Sequence, residues 1–197
     1  MSTATGQLAL PPAAPPAPRR QVFIGTALAC VAGTMLIGGM LSIWVLLRER
    51  VVDSGGRFPV DYIIPEVASN VMLMTVWSLC LFAQWAVYAG TRGDRAHTAL
   101  ALAVSGLLAI AFINAQAFVY VDMGVEINET YYGVLFYAIT GAMLALVIAG
   151  LVYTTVAAFR ALGGRLGETG ILSAHALYWY FIAIAYSAVW FVVYVTK

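Results

Sequence analysis

Apolar side chains run along this chain in five long blocks separated by short polar stretches. The blocks cover residues 23–47, 67–89, 96–121, 132–159 and 171–195. An α-helix of about 20 apolar residues crosses the ~30 Å hydrocarbon layer of a bilayer, and every block reaches that length. The polar breaks hold Arg48-Glu49-Arg50 through Glu66, Arg92-Gly93-Asp94-Arg95, Asp122 through Glu129, and Arg160 through Glu168. Gly55-Gly56, Pro59, Pro65, Gly93 and Gly163-Gly164 reinforce three of them as helix terminators. Arg19-Arg20 ahead of the first block look like the start of a secretory signal. That block continues to Leu47, well past the ~7–15 apolar residues of a signal h-region, so a retained span is expected. The predicted fold class is all-α, a polytopic membrane protein built as a bundle of five transmembrane helices over residues 21–197. Residues 1–20, rich in Ala and Pro with nothing periodic to bury, are expected to be a disordered cytoplasmic tail.

Composition agrees with a bilayer as solvent: 62% of the 197 residues are hydrophobic and 10% charged. A net charge of +1 with no basic stripe argues against nucleic acid as a partner. The distribution of basic residues is more informative than their sum. Six lie in the tail (Arg19, Arg20), second loop (Arg92, Arg95) and fourth loop (Arg160, Arg165), against four in the first loop (Arg48, Arg50, Arg57) and at Lys197. The positive-inside rule then puts the N-terminus in the cytoplasm and the C-terminus outside. The acidic third loop (Asp122, Glu126, Glu129) fits the outer side, and Trp44, Tyr120, Tyr131, Tyr132, Trp190 and Tyr194 are expected there as interfacial anchors.

Helix association in lipid relies on close packing and interhelical hydrogen bonds. Small residues four apart share a helix face, and two such triplets occur: Gly25, Ala29, Gly33 and Gly141, Ala145, Ala149. Each is expected to face another helix of this chain or of a partner. Asn70, Asn114, Gln116 and Thr140 are the polar candidates for bonds between helices, with Gln84 and Thr75 of the same type. Cys30 and Cys80 sit in apolar runs and read as small buried hydrophobes.

Proton and ion pathways rest on intramembrane ionisable groups, and the blocks hold no Asp, Glu, Lys or Arg. A pump in its own right is therefore not expected. No nucleophile–base set, phosphate-binding loop or HExxH motif is present, so no catalytic, cofactor-binding or metal residue is assigned. A bis-histidine haem between His97 and His175 is conceivable, although a lone interfacial histidine is more commonly structural.

Several stretches resemble the short, five-helix form of haem-copper oxidase subunit III, as in actinobacterial cytochrome c oxidases. The run from Tyr132 to Gly141, YYGVLFYAITG when Tyr131 is included, is similar to the family's aromatic segment ending in Thr-Gly. Met35 with Gly39, Asn70 through Ser78, Gln116 with Tyr120, Gly93-Asp94, and Tyr178-Trp179-x-Phe181 followed by Tyr194 agree in order. The family's intramembrane ionisable groups are replaced: Gly33 and Val119 stand for glutamates, Met143 and Leu146 for paired histidines, Tyr180 for a histidine and Ala183 for an acid.

The resemblance implies a non-catalytic subunit without a redox centre or other cofactor. Such a subunit packs against the catalytic and other subunits of a respiratory oxidase in the cell inner membrane and holds phospholipid. Tyr178, Trp179, Tyr180 and Trp190 are the interfacial or lipid candidates under that implication, and the family's proton-supporting role does not carry over. Two alternatives stay open: an accessory subunit of a nitric oxide reductase, and a small transporter or channel-like protein using Asn114 and Gln116 as a polar path.

Overall fold

The computed structural model describes residues 20–56, 58, 65–125, 131–164 and 169–196. The expected tail through Arg19 lies outside these, as do Arg57, Pro59, Glu126, Glu129, Arg165, Glu168 and Lys197 of the loops and terminus. Among the described residues the chain forms five long α-helices: α1 (Gln21–Asp53), α2 (Glu66–Thr91), α3 (Arg95–Met123), α4 (Tyr131–Leu162) and α5 (Thr169–Val189). A π-helical segment, Trp190–Val195, continues α5 without a break. Five spans, the last of them Gly170–Val195, are long and apolar enough to cross a membrane. The protein is a multi-pass, all-α membrane protein.

The helices outrun the apolar blocks. At 33 residues, α1 is about 50 Å long, so it overshoots the ~30 Å hydrocarbon layer and carries Arg48-Glu49-Arg50 in its last two turns. Described charged side chains thus collect at helix ends, where head groups and water can solvate them. Asp94 caps α3 by accepting the His97 backbone N–H at 3.1 Å, satisfying a donor that the first turn leaves unpaired. Gly124 closes the same helix at φ 54°, a left-handed conformation that costs glycine little.

α5 is the centre of the bundle. It packs against α1, α2 and α4, while α2 pairs with α3, α3 with α4, and α4 with α1. The most apolar window of α5 is 56% buried and that of α1 only 17%. α1 therefore attaches along one stripe, Cys30, Gly33, Ile37, Leu41 and Trp44, whose i, i+3/i+4 spacing keeps them on a single face. The rest of α1, including Val31, Met35 and Ile43, is apolar and outward-facing.

Candidate functional site

Two polar-aromatic clusters occupy the bundle interior, and α5 contributes to both. Near the first turns of α5, His175 and Trp179 are fully buried one turn apart. Trp179 Nε1 donates to His175 Nε2 at 3.0 Å and lies 3.1 Å from the Thr154 hydroxyl of α4. The Thr154 hydroxyl in turn lies 2.9 Å from His175 Nε2 and donates to the Gly150 carbonyl at 2.8 Å. The single indole hydrogen is shared between His175 Nε2 and the Thr154 oxygen, and the tautomer of the imidazole sets the direction of the Thr154–His175 contact. Nδ1 has no partner among the described residues. Tyr178 donates to the Leu146 carbonyl at 2.8 Å, fastening α5 to α4 one turn further on.

The close approach behind this network is made by a glycine. A Cβ at Gly150 would stand 2.9 Å from the Trp179 ring and 3.0 Å from that of Tyr178, so α4 accommodates both rings only because Gly150 has no side chain. The sequence pattern does not mark Gly150, since it lies outside both four-residue triplets. The available signal was the Tyr178-Trp179 pair, whose bulk requires a small residue on a facing helix.

The second cluster lies at the end of the bundle where α3 finishes and α4 begins. Tyr120 donates to Thr140 at 2.9 Å across α3 and α4, and buried Gln116 lies beside the Tyr120 and Tyr194 side chains. Trp44 packs on Tyr132 at 5.2 Å between centroids and on Phe58 at 5.1 Å. Tyr132 stacks on Phe136, and Phe136 meets Tyr194 edge-on at 6.3 Å. The wider turn of the π segment has Val193 and Tyr194 both buried.

This geometry revises several expectations. Trp44, Tyr132 and Tyr194 are not interfacial anchors: rings from α1, α4 and the π segment converge on one another where the helices meet, and only Tyr131 is largely exposed. Tyr178 and Trp179 are core residues rather than lipid-facing ones, because α5 is enclosed by its neighbours; Tyr180 and Trp190 are half-buried. The small-residue triplets also divide. Gly33 meets Phe181 of α5, where a Cβ would stand 2.5 Å from Cζ. Gly25 and Gly141 have nothing within 4 Å of a Cβ, and Ala29, Ala145 and Ala149 are exposed. Within this chain those five positions contact no neighbouring helix closely.

Of the amides, Asn70 accepts the Trp190 indole N–H at 3.0 Å, joining α2 to the π segment. Gln116 is interior, whereas Asn114 faces outward on α3 and makes no side-chain hydrogen bond among the described residues. Asn114 and Gln116 therefore do not line a common path.

The histidines have separate surroundings. His97 is exposed and pairs through Nδ1 with Asp94 Oδ2 at 2.6 Å, while His175 is held by Thr154 and Trp179. Among the described residues no three His, Cys, Asp or Glu side chains gather as a metal-ligand set. Both cysteines are free and buried; the Cys80 thiol donates to the Trp179 carbonyl at 3.4 Å.

Comparison with known proteins places this architecture. Residues 62–197 match the family described as Cytochrome c oxidase subunit III. Cytochrome c oxidase subunit 3 of Prototheca wickerhamii is 32% identical over 96 residues, 49% of this chain and 37% of that protein. The subunit 3 of Schizophyllum commune is 26% identical over 141 residues, 71% of this chain and 52% of that protein. Against the subunit 3 of Corynebacterium diphtheriae identity is 23% over 178 residues, covering 88% of this chain and 87% of the relative. The chain thus spans about a third to a half of the two eukaryotic relatives and most of the bacterial one. With the matched region taking in α2 to α5 whole, the chain belongs to the cytochrome c oxidase subunit III family.

Proposed function

We propose that this protein is a non-catalytic, subunit III-like component of a respiratory haem-copper oxidase, packing against the catalytic subunit and holding phospholipid. The observation that carries the reading is the family match over residues 62–197. It is supported by the buried polar residues among those described, which are Ser, Thr, Gln and one His with no Asp, Glu, Lys or Arg, a set that suits a scaffold better than a chain of acids for proton transfer. The outward small-residue positions, Gly25 and Ala29 on α1 and Gly141, Ala145 and Ala149 on α4, are the proposed shallow grooves for a partner helix or an acyl chain. Gly33 does its packing within the chain. The protein sits in the cell inner membrane with its N-terminus in the cytoplasm and its C-terminus outside.

Purification in mild detergent tests this. The expected result is co-elution with the other oxidase subunits and their haem and copper absorbance. A chain that elutes alone would refute the subunit assignment, and co-elution with nitric oxide reductase polypeptides would reassign it to that complex.

A further inference from the structure

A row of polar side chains crosses the outward surface of α2. Asn70, Trp77 and Gln84 are seven residues apart, so each lies within about 20° of the last on the helix surface. All three are exposed. The row covers about 21 Å at 1.5 Å per residue, some two-thirds of the ~30 Å hydrocarbon layer. Its first two members are tied to the neighbouring segment: Trp190 donates to Asn70 at 3.0 Å, and Trp77 Nε1 donates to Ser187 Oγ of α5 at 3.1 Å. Gln84 continues the row and makes no side-chain hydrogen bond among the described residues. The Asn70 amide nitrogen likewise has no acceptor there. Met74, Leu81 and Ile184 stand exposed along the same seam as apolar flanks.

The outward faces of α1 and α4 differ. Val31, Met35 and Ile43 on the former, and Val134, Val152 and Val156 on the latter, suit acyl chains. Lipid tails accept no hydrogen bonds, so several polar side chains aligned along one seam favour contact with another helix over hydrocarbon. A lipid head group could serve one end of the row but could not follow it through Trp77 and Ser187 at mid-depth.

We propose that the α2/α5 seam marked by Asn70, Trp77, Gln84 and Ser187 receives a transmembrane helix of another oxidase subunit. That helix carries an amide or hydroxyl side chain at the depth of Gln84. The inference rests on the subunit reading above and gives it a specific face.

The test uses the intact complex in native membranes, with a photoreactive phenylalanine analogue in place of Gln84. Illumination is expected to join this chain to another oxidase polypeptide. A product with a second copy of this chain, or with lipid alone, overturns the proposal. In parallel, Gln84→Leu is expected to lower the fraction of the chain retained on the detergent-purified complex about threefold, the scale of one interhelical hydrogen bond. Gln84→Asn, which keeps an amide, and Met35→Leu, on the apolar outward face of α1, retain it. A complex that assembles normally with Gln84→Leu and gives no crosslink at this position overturns the seam while leaving the subunit reading intact. If the unaltered chain co-purifies with no oxidase subunit, the subunit reading fails and the seam assignment falls with it.

Discussion

At Gly150 the absence of one methyl group sets the distance between α4 and α5. A side chain there meets the rings of Trp179 and Tyr178 at about van der Waals overlap, and both rings are anchored by hydrogen bonds, so neither can move away freely. Gly150→Val is expected to destabilise the bundle by about 1–3 kcal/mol, the usual range for overpacking a filled core. Gly141→Val, on the outward face of the same helix, should leave the thermal midpoint of the isolated chain within a degree or so of the unaltered protein, by the ordinary tolerance of surface sites. Thermal unfolding in detergent separates the two. Thr154 offers a second measurement: Thr154→Val keeps the volume but removes a hydroxyl that satisfies Gly150, Trp179 and His175 at once. A loss of about 1–3 kcal/mol is expected, because buried polar partners are left short of a bond. An unchanged midpoint would mean that the network contributes nothing to stability.

Among the elements, α1 is the one least enclosed by its neighbours. α1 is held along one stripe, and Gly33 against Phe181 is its tightest point. Gly33→Leu is therefore expected to lift α1 from α5 and raise the alkylation rate of the buried Cys30 thiol, with Phe181→Ala in the same chain reversing part of the gain. At α3, Asp94 accepts from the backbone and ring of His97, and these bonds hold its carboxyl below its ordinary 3.8. A carboxylate depressed on folding adds stability that is complete above that ordinary value and is lost as pH falls through the lower, folded one. The thermal midpoint should thus fall on acidification below about pH 4, and Asp94→Asn should reduce the slope. A slope identical in the variant would assign the acid sensitivity to other groups. The existence of five helices was readable in the sequence because apolar length alone decides a span. Their facing was not, for a related reason: when every side of a helix is apolar, hydropathy carries no directional signal. Hence the Gly141 triplet and the Gly150 contact could not be told apart, and Trp44, Tyr132 and Tyr194 were indistinguishable from interfacial anchors until the helices were seen to converge. Gln84 and Asn70, by contrast, were visible as amides, but their shared row on an outward seam required the position of α5.

For the molecule as a whole, insertion is governed by charges that lie almost entirely beyond the packed core. With five spans among the described residues, the two ends of the membrane domain are expected on opposite sides, and under the positive-inside rule six basic residues against four favour the proposed direction. With the N-terminus inside as proposed, Thr91 is expected to face the cytoplasm and Asp122 the exterior. A cysteine at Asp122, in a chain lacking Cys30 and Cys80, should react with an impermeant maleimide on intact cells, and one at Thr91 only after lysis. The narrow excess makes a stronger prediction about the third loop, which has no basic residue to retain it. Glu126→Lys with Glu129→Lys raises the outer count to six and removes the bias altogether. The doubly substituted chain is then expected to insert in both directions, so that the Asp122 position becomes only partly reactive from outside and the Thr91 position partly reactive without lysis. Unmixed labelling in that variant would mean that the packed helices, rather than the basic residues, determine the orientation.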